Sequence, residues 1–247
     1  MTAQRRGRTR ATLESLPEPG ALVFDLDGTL VDTVEARIGG WLETFAAAGI
    51  PADRDHVAGL IGSDGKRLAH EVARRAGKEL DEAEADRLDA DAGARYDRLN
   101  TDPRVPPGAR ELLLELSAGD LAWAIATSSR AEQVRASVEA LRLPRSPLLV
   151  DGSHVRHAKP APDLLLLAAQ RLSSPPERCW NVGDATWDMA AATAAGMVAV
   201  GVASGAVDTD ALLGSGASVA LQSLDPLRAE LERRGWLRPA DARTAAR

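Results

Sequence analysis

The feature that most constrains this chain is an apolar run that ends in two acidic residues one position apart. It reads VFDLDGTLVDT over residues 23–33, and Gly28 and Thr29 break the strand pattern where a loop should begin. Because side chains at i and i+2 of an extended chain point the same way, Asp25 and Asp27 can share a site. Asp25 is then a candidate nucleophile. The alternative is that both acids only shape a turn, as most isolated pairs of this kind do.

Downstream of the prolines near residue 106, short apolar strands alternate with helices, and polar residues follow the strands. Thr127 and Ser128 follow the predicted strand Leu121–Ala126. Hydroxyls and free backbone N–H groups at such a strand end are suited to holding phosphate oxygens. Taken alone, a run of this composition is usually only the cap of the next helix.

Two further strands are followed by charged residues. Lys159 stands before a proline after the short strand Leu148–Asp151, and Asp184 and Asp188 follow an apolar strand that ends at Gly183. If that strand end lies beside the first acidic pair, the carboxylates offer the oxygen ligands that a hard cation prefers. The alternative for these acids is a charge pair at the start of a helix.

Between the first strand and the rest of the sheet, residues 34–105 show only helical periodicity. The apolar residues from Val34 to Phe45 fall on one helical face, and later segments repeat the pattern, which predicts an all-helical block. Within it the loop Ile61–Arg67 contains two glycines and two cations, Lys66 and Arg67. These cations either contact a substrate or are exposed residues at an ordinary helix start.

In this order, the features resemble the four motifs of the haloacid dehalogenase superfamily. The string DLDGTLVD over residues 25–32 resembles motif one, Thr127 motif two, Lys159 motif three, and GDATWD over residues 183–188 motif four. The helical insertion is similar to that of the helical-cap subgroup, which includes phosphoglycolate phosphatases and β-phosphoglucomutases. The resemblance covers residues 21–221. It implies an α/β fold with a Rossmann-like, doubly wound, mainly parallel sheet and an inserted α-helical cap.

The resemblance also implies a magnesium-dependent phosphatase that acts on a small phosphorylated metabolite through an aspartyl-phosphate. Asp25 would attack phosphorus, and Asp27 would protonate the leaving alcohol and then activate water. Mg²⁺ would let an anionic nucleophile approach an anionic phosphate. By this resemblance the catalytic residues are Asp25, Asp27, Thr127 and Lys159, and the substrate-binding residues are Thr127, Ser128, Lys159, Lys66 and Arg67. The metal-site residues are Asp25 and Asp184 through their side chains, Asp27 through its backbone carbonyl, and Asp188 through water or by fixing Lys159.

The predicted domain organisation follows from the position of the helical block. Residues 21–33 and 106–236 are expected to form the α/β core, and residues 34–105 the helical cap. The arginine-rich start of the chain predicts a disordered basic tail over residues 1–20. Residues 237–247 are expected to be a frayed tail.

Composition limits the partners and the compartment. The formal net charge of -6 argues against a nucleic-acid surface, and the single cysteine excludes an intrachain disulfide. No stretch approaches about 18 consecutive apolar residues, so no transmembrane span is expected. These observations favour a cytoplasmic monomer or homodimer whose partner is a small phosphorylated metabolite, with no nucleic acid and no membrane.

Three rival functions remain open at this point. A β-phosphoglucomutase-like mutase would pass the phosphoryl group from Asp25 to a sugar instead of water. Phosphonate cleavage in the family uses a cap lysine, and Lys66 keeps that reaction open. A phospho-acceptor signalling or binding domain also uses an aspartate on a parallel sheet, although it would need neither the cap nor Asp27.

Overall fold

A six-stranded parallel sheet lies at the centre of the computed structural model, which describes residues 11–239. The strands are β1 (Ala21–Phe24), β2 (Ala122–Ala126), β3 (Leu149–Val150), β4 (Cys179–Gly183), β5 (Val198–Val202) and β6 (Val219–Leu221). Their order is β3-β2-β1-β4-β5-β6, and every neighbouring pair is parallel. Strands that are buried on both faces need continuous apolar sequences, which these have. The predicted doubly wound sheet is confirmed.

Ten α-helices accompany this sheet within residues 11–239, and six of them cover its two faces. They are α1 (Val34–Ala47), α2 (Arg54–Leu60), α3 (Gly65–Arg75), α4 (Glu82–Leu99), α5 (Ala109–Ala118), α6 (Ala131–Ala140), α7 (Asp163–Arg171), α8 (Thr186–Ala195), α9 (Thr209–Gly214) and α10 (Asp225–Arg233). Helices α5, α6 and α10 pack on the face that carries Phe24 and Trp180, and α7, α8 and α9 on the face that carries Val23 and Ala124. Alternate residues of one strand therefore supply the cores of two layers.

Strand β1 lies between the two halves of the sheet. Phe24 pairs with Ile125 of β2 on one side and with Val182 of β4 on the other. From this strand the order runs outward in both directions, so the connections diverge and leave a crevice at its carboxyl end. The residue that follows, Asp25, donates its backbone N–H to Val182 O at 2.8 Å.

Helices α1 to α4 form a unit with its own apolar core, which we call the helical block (residues 34–100). Trp41 and Phe45 stack in it with ring centroids 5.3 Å apart, and Val57 and Val72 are buried beside them. The two chain segments that lead into and out of the block are joined where Asp32 N donates to the backbone oxygen of the exit segment at 2.8 Å. The block is all-helical as predicted, although its short helix α2 is not part of the predicted pattern.

The expected tails are corrected on both sides of the core. Leu13 and Leu16 are buried against it, and Arg234, which is 4% exposed, donates to their backbone oxygens at 2.8 and 3.1 Å. Leu237 is buried in the same cluster. The prediction of a disordered tail is therefore wrong for residues 11–20, and the prediction of a frayed tail is wrong for residues 237–239. Burial of apolar side chains and the buried Arg234 guanidinium hold these segments on the core. The other tail residues, 1–10 and 240–247, lie outside the described range.

Among the helices between residues 11 and 239, none combines the length and the apolar character that a membrane span requires.

Candidate active site

The loops that follow the central strands converge at the switch point of the sheet. Asp25 follows β1, Thr127 follows β2 and Asp184 follows β4, while Lys159 comes from the segment between β3 and α7. Parallel strands in register bring their carboxyl ends to one edge. Asp188, on the first turn of α8, lies at the same edge. Five predicted residues that are far apart in the sequence therefore lie together: Asp25, Thr127, Lys159, Asp184 and Asp188.

A buried lysine forms the centre of this group. The Nζ of Lys159 contacts Asp25 Oδ1, lies 2.7 Å from Asp188 Oδ1 and donates to Ala126 O at 2.8 Å. Burial alone would lower the pKa of Lys159, yet the two carboxylates raise it above its ordinary value. The ammonium is thus held charged and fixed beside the candidate nucleophile.

Three buried carboxylates crowd against this lysine. Asp25, Asp184 and Asp188 can each present a ligand atom within 4.8 Å of the others. Burial, against the attraction of Lys159, raises the pKa of Asp25 to about 7, and burial with the neighbouring acids raises the pKa of Asp184 well above its usual range. One ammonium does not balance three carboxylates. The oxygen-only donor set therefore fits a hard divalent cation such as Mg²⁺.

Asp184 is held by close packing as well as by a hydrogen bond. Thr29 Oγ1 donates to its Oδ1 at 2.7 Å. Gly28, whose φ is +90°, and Gly205 lie so near that a Cβ at either position would overlap the Asp184 carboxylate. Glycine is thus required at both positions. At Gly205 the reason is space, and at Gly28 it is both space and the positive φ.

Asp27 occupies a different environment from the three crowded acids. Its Oδ1 accepts hydrogen bonds from Thr33 at 2.8 Å and Tyr96 at 3.3 Å. Its Oδ2 accepts three more, from Ser129 at 2.7 Å, Arg37 at 3.1 Å and Thr127 at 3.3 Å. Burial opposes its charge, but the Arg37 guanidinium and the hydroxyl donors hold the pKa of Asp27 below its ordinary value. These donors turn the carboxylate away from the acidic cluster. The carboxylate of Asp27 thus lies apart from the group formed by Asp25, Asp184 and Asp188. The role expected for Asp27 at the metal, through its backbone carbonyl, stays a prediction.

Arg37 and Tyr96 are site residues that sequence reasoning missed. The guanidinium carbon of Arg37 lies 3.5 Å from the Tyr96 ring centroid, and its Nη2 also donates to Ser129 Oγ at 2.6 Å. The available signal was periodicity. Arg37 stands three residues after Val34 and four before Trp41, so a cation occupies the apolar stripe of α1.

A cavity separates the core from the helical block. On the core side it is lined by Asp25, Asp27 and the three hydroxyl residues after β2, and Ser128 Oγ also donates to Gly62 O of the block at 3.1 Å. Two further hydrogen bonds bind the block to the core: the backbone N–H of Asp64 donates to Lys159 O at 2.9 Å, and the indole Nε1 of Trp187 donates to Gly59 O of α2 at 3.0 Å. The remaining lining residues are Arg37, Trp41, Ile61, Gly62, Ser63, Gly65, Leu68, Asp89 and Gln133.

The structure does not bring Lys66 and Arg67 into this cavity. Lys66 Nζ lies 3.5 Å from a carboxylate oxygen of Glu82 and 3.6 Å from one of Asp86, on the outer surface. Arg67 stacks over the Trp187 ring at 5.0 Å. Helix α3 begins at Gly65, so Lys66 and Arg67 lie in its first turn. Both side chains line a separate hollow on the surface. In this arrangement neither cation lines the cavity beside Asp25, and their contact with substrate stays a prediction.

The fold and the carboxylate cluster define a doubly wound α/β hydrolase with an aspartate at its switch point. The chain belongs to the haloacid dehalogenase-like hydrolase family, whose sequence model matches residues 22–202. It is 33% identical over 178 residues to an N-acetylmuramic acid 6-phosphate phosphatase of Pseudomonas putida, which covers 71% of this chain and 79% of that protein. It is 31% identical over 189 residues to a fructose-1-phosphate phosphatase of Escherichia coli, with coverage of 73% and 95%.

A solved structure agrees with these relationships. A hydrolase from Pseudomonas syringae has a TM-score of 0.82 and 33% identity to this chain, and the match covers 86% of this chain and 98% of that one. The family and fold that the motifs predicted are therefore confirmed.

Proposed function

We propose that this protein is a Mg²⁺-dependent phosphatase that hydrolyses a small phosphorylated metabolite through an aspartyl-phosphate on Asp25. The observation that carries the proposal is the contact of Asp25 with the buried ammonium of Lys159 inside a cluster of acids. Two relatives are named as phosphatases of sugar phosphates, an N-acetylmuramic acid 6-phosphate and a fructose 1-phosphate. Their names support a phosphorylated sugar as the substrate class.

In the first step, Asp25 attacks phosphorus and the bond between phosphorus and the leaving oxygen breaks. A carboxylate is a sufficient nucleophile at neutral pH once the charge of the phosphate is balanced. Lys159 and the hydroxyl of Thr127 supply part of that balance. Asp188, 2.7 Å from Lys159 Nζ, holds the ammonium in place. Mg²⁺ held by Asp25 and Asp184 would supply the rest of the positive charge.

Asp27 performs the proton transfers. With substrate bound it must first carry a proton, against the donors that lower its pKa in the free site. It gives that proton to the leaving alcohol and then removes one from the water that hydrolyses the acyl phosphate. Its five donors come from both the core and the helical block, so its position depends on their contact. The helical block acts as a cap domain that keeps bulk water away from the acyl phosphate.

Release of inorganic phosphate from a panel of sugar phosphates, with Mg²⁺ and with EDTA, tests the proposal. Mg²⁺-dependent multiple turnover is expected, with loss of activity in EDTA. A phospho-acceptor domain would instead keep its phosphate on Asp25 without multiple turnover. Full activity after exhaustive chelation would remove the metal from the mechanism.

A further inference from the structure

We propose that Asp89 and Gln133 form a leaving-group subsite that selects phosphate esters of neutral polyhydroxy compounds, such as sugars and polyols. The same subsite disfavours esters whose leaving group carries a carboxylate or a second phosphate. This inference rests on the proposed phosphatase function, because it places the transferring phosphate at Asp25 and the leaving group toward the helical block.

The charge of the cavity is the first argument. Among the described residues that line it, three are carboxylates, Asp25, Asp27 and Asp89, and Arg37 is the single cation. Arg37 is already engaged with Asp27 at 3.1 Å and stacked on the Tyr96 ring. A second anion on the leaving group would compete with Asp27 for this guanidinium and would face the Asp89 carboxylate. Like-charge juxtaposition of this kind is a strong source of discrimination.

Asp89 is fixed with one oxygen available. Arg130 Nη2 lies 3.1 Å from its Oδ2, and Arg130 is not among the residues that line the cavity. Oδ1 lies against Gly65, so near that a Cβ there would overlap it. Within residues 11–239, Oδ1 has no hydrogen-bond partner. It is therefore a ready acceptor for a hydroxyl group.

Gln133 supplies the complementary donor. Its Oε1 accepts from Arg130 N at 3.1 Å at the start of α6, which orients the amide. Its Nε2 lies against Gly93, where a Cβ would overlap it, and it donates to no residue of the described chain. An acceptor on α4 and a donor on α6, both from residues that line the cavity, match hydroxyl groups, which both donate and accept.

The surrounding wall suits a carbon skeleton. Trp41, Ile61 and Leu68 line the cavity with apolar surface beside the two polar groups. Mostly apolar walls with a few placed polar groups are typical of small-molecule sites, in which the polar groups give specificity. The walls thus carry apolar surface for a carbon skeleton and polar groups for its hydroxyls. At about 50 Å³ the cavity admits a sugar only when the helical block moves outward.

The same charge pattern bears on the mutase alternative. Transfer of the phosphoryl group from Asp25 to a sugar phosphate produces a bisphosphate, which must fit with its second phosphate toward the helical block. The cations that could receive it, Lys66 and Arg67, project into the outer hollow. The cavity therefore favours transfer to water.

The test compares two substrates that differ only at one end. Sorbitol 6-phosphate and 6-phosphogluconate share their hydroxyls and phosphate position, but one ends in a neutral alcohol and the other in a carboxylate. With Mg²⁺ present, kcat/KM of the wild type should be higher for sorbitol 6-phosphate by roughly 30-fold or more. Asp89→Asn should narrow this ratio by about 10-fold, because the repelling charge is gone and an acceptor oxygen remains.

Two further variants complete the design. Asp86→Asn is the matched control, since Asp86 also faces Arg130, at 3.7 Å, but is 52% exposed and outside the cavity. Its ratio should equal that of the wild type. Gln133→Met should lower kcat/KM for sorbitol 6-phosphate, relative to p-nitrophenyl phosphate in the same variant, by about 5-fold, the loss of one neutral hydrogen bond. Circular dichroism melting curves establish that each variant is folded.

The outcomes separate the subsite from the proposed function. If p-nitrophenyl phosphate and both sugar phosphates resist hydrolysis with Mg²⁺, the phosphatase function is wrong and the subsite with it. If the wild type hydrolyses the matched pair equally well, only the subsite is overturned. An unchanged ratio in folded Asp89→Asn overturns it as well. Should Asp89→Asn fail to fold, the preference of the wild type decides the question alone.

Discussion

The two walls of the cavity are built in different ways. The core wall consists of residues that directly follow parallel strands, with Asp25 and Lys159 in contact and almost fully buried. The helical wall consists of side chains from α1, α3 and α4 together with Gln133 of the neighbouring core helix α6, and its carboxylate, Asp89, pairs with a half-exposed arginine at the rim. On the proposed function, the core wall holds the chemistry and the helical wall chooses the leaving group.

This difference indicates that the choice of substrate can change more easily than the reaction itself. Moving a group on the core wall would disturb the register of β1, β2 and β4, in which Phe24 pairs with Ile125 and Val182. Changing a side chain on the helical wall leaves the sheet untouched. A family that keeps one reaction and changes its substrates would therefore vary the helical wall.

The largest expected effect is on the core wall. Asp25→Asn should abolish turnover, a loss of roughly 10⁵-fold or more, because the amide cannot form the acyl phosphate. Phosphate release from p-nitrophenyl phosphate measures it. The variant should melt no lower than the wild type, since it removes one charge from a crowded acidic cluster. Wild-type turnover in a preparation free of host phosphatase would contradict the covalent mechanism.

Asp27 lies where the two walls meet, and its replacement should have the second largest effect. Asp27→Asn should lower kcat/KM for a sugar phosphate by about 10²- to 10⁴-fold, which corresponds to about 3–5 kcal/mol in the barrier. The loss should be smaller for p-nitrophenyl phosphate, whose leaving group needs no proton. Equal losses of kcat/KM on both substrates would show that Asp27 shapes the site without acting as the acid.

The shift in Tm that Mg²⁺ produces should distinguish variants of the core wall from variants of the helical wall, and this measurement does not depend on activity. At about 100 times its Kd, Mg²⁺ should stabilise the fold by about 2.7 kcal/mol, which for a chain of this size is roughly 5–10 °C in Tm. Asp184→Asn should lose most of this shift because it removes a ligand from the core wall. Asp89→Asn, on the helical wall, should keep it. An identical shift in wild type and Asp184→Asn would place the ion elsewhere.

The sequence predicted the core wall well for a physical reason. In a parallel sheet, the position of a residue after its strand determines where it lies, so the strand patterns indicated that Asp25, Thr127 and Asp184 share one edge of the sheet. Their roles, and the place of Lys159, came from the resemblance to the four family motifs. No such rule exists for side chains on helices that meet through tertiary packing.

The helical wall could not be predicted in the same way. Asp89 reaches the cavity because α4 packs on α3 at Gly65, and Gln133 because α6 meets the same helix at Gly93. Neither contact has a local sequence signal. The buried segment 11–20 was missed for a similar reason, since Leu13 and Leu16 depend on Arg234, more than 200 residues away.

The smallest expected effect concerns the two cations that the sequence placed near the substrate. Lys66 is held by Glu82 and Asp86 on the surface, and Arg67 by the Trp187 ring, so replacing both by alanine removes only exposed contacts. Such contacts contribute about 0–1 kcal/mol each, and the cavity lining is unchanged. The double variant should therefore alter kcat/KM for a sugar phosphate by less than about 3-fold, with a similar change for p-nitrophenyl phosphate. A larger loss confined to the sugar phosphate would mean that the movement of the helical block during turnover carries these cations to the leaving group, while the core wall stays fixed.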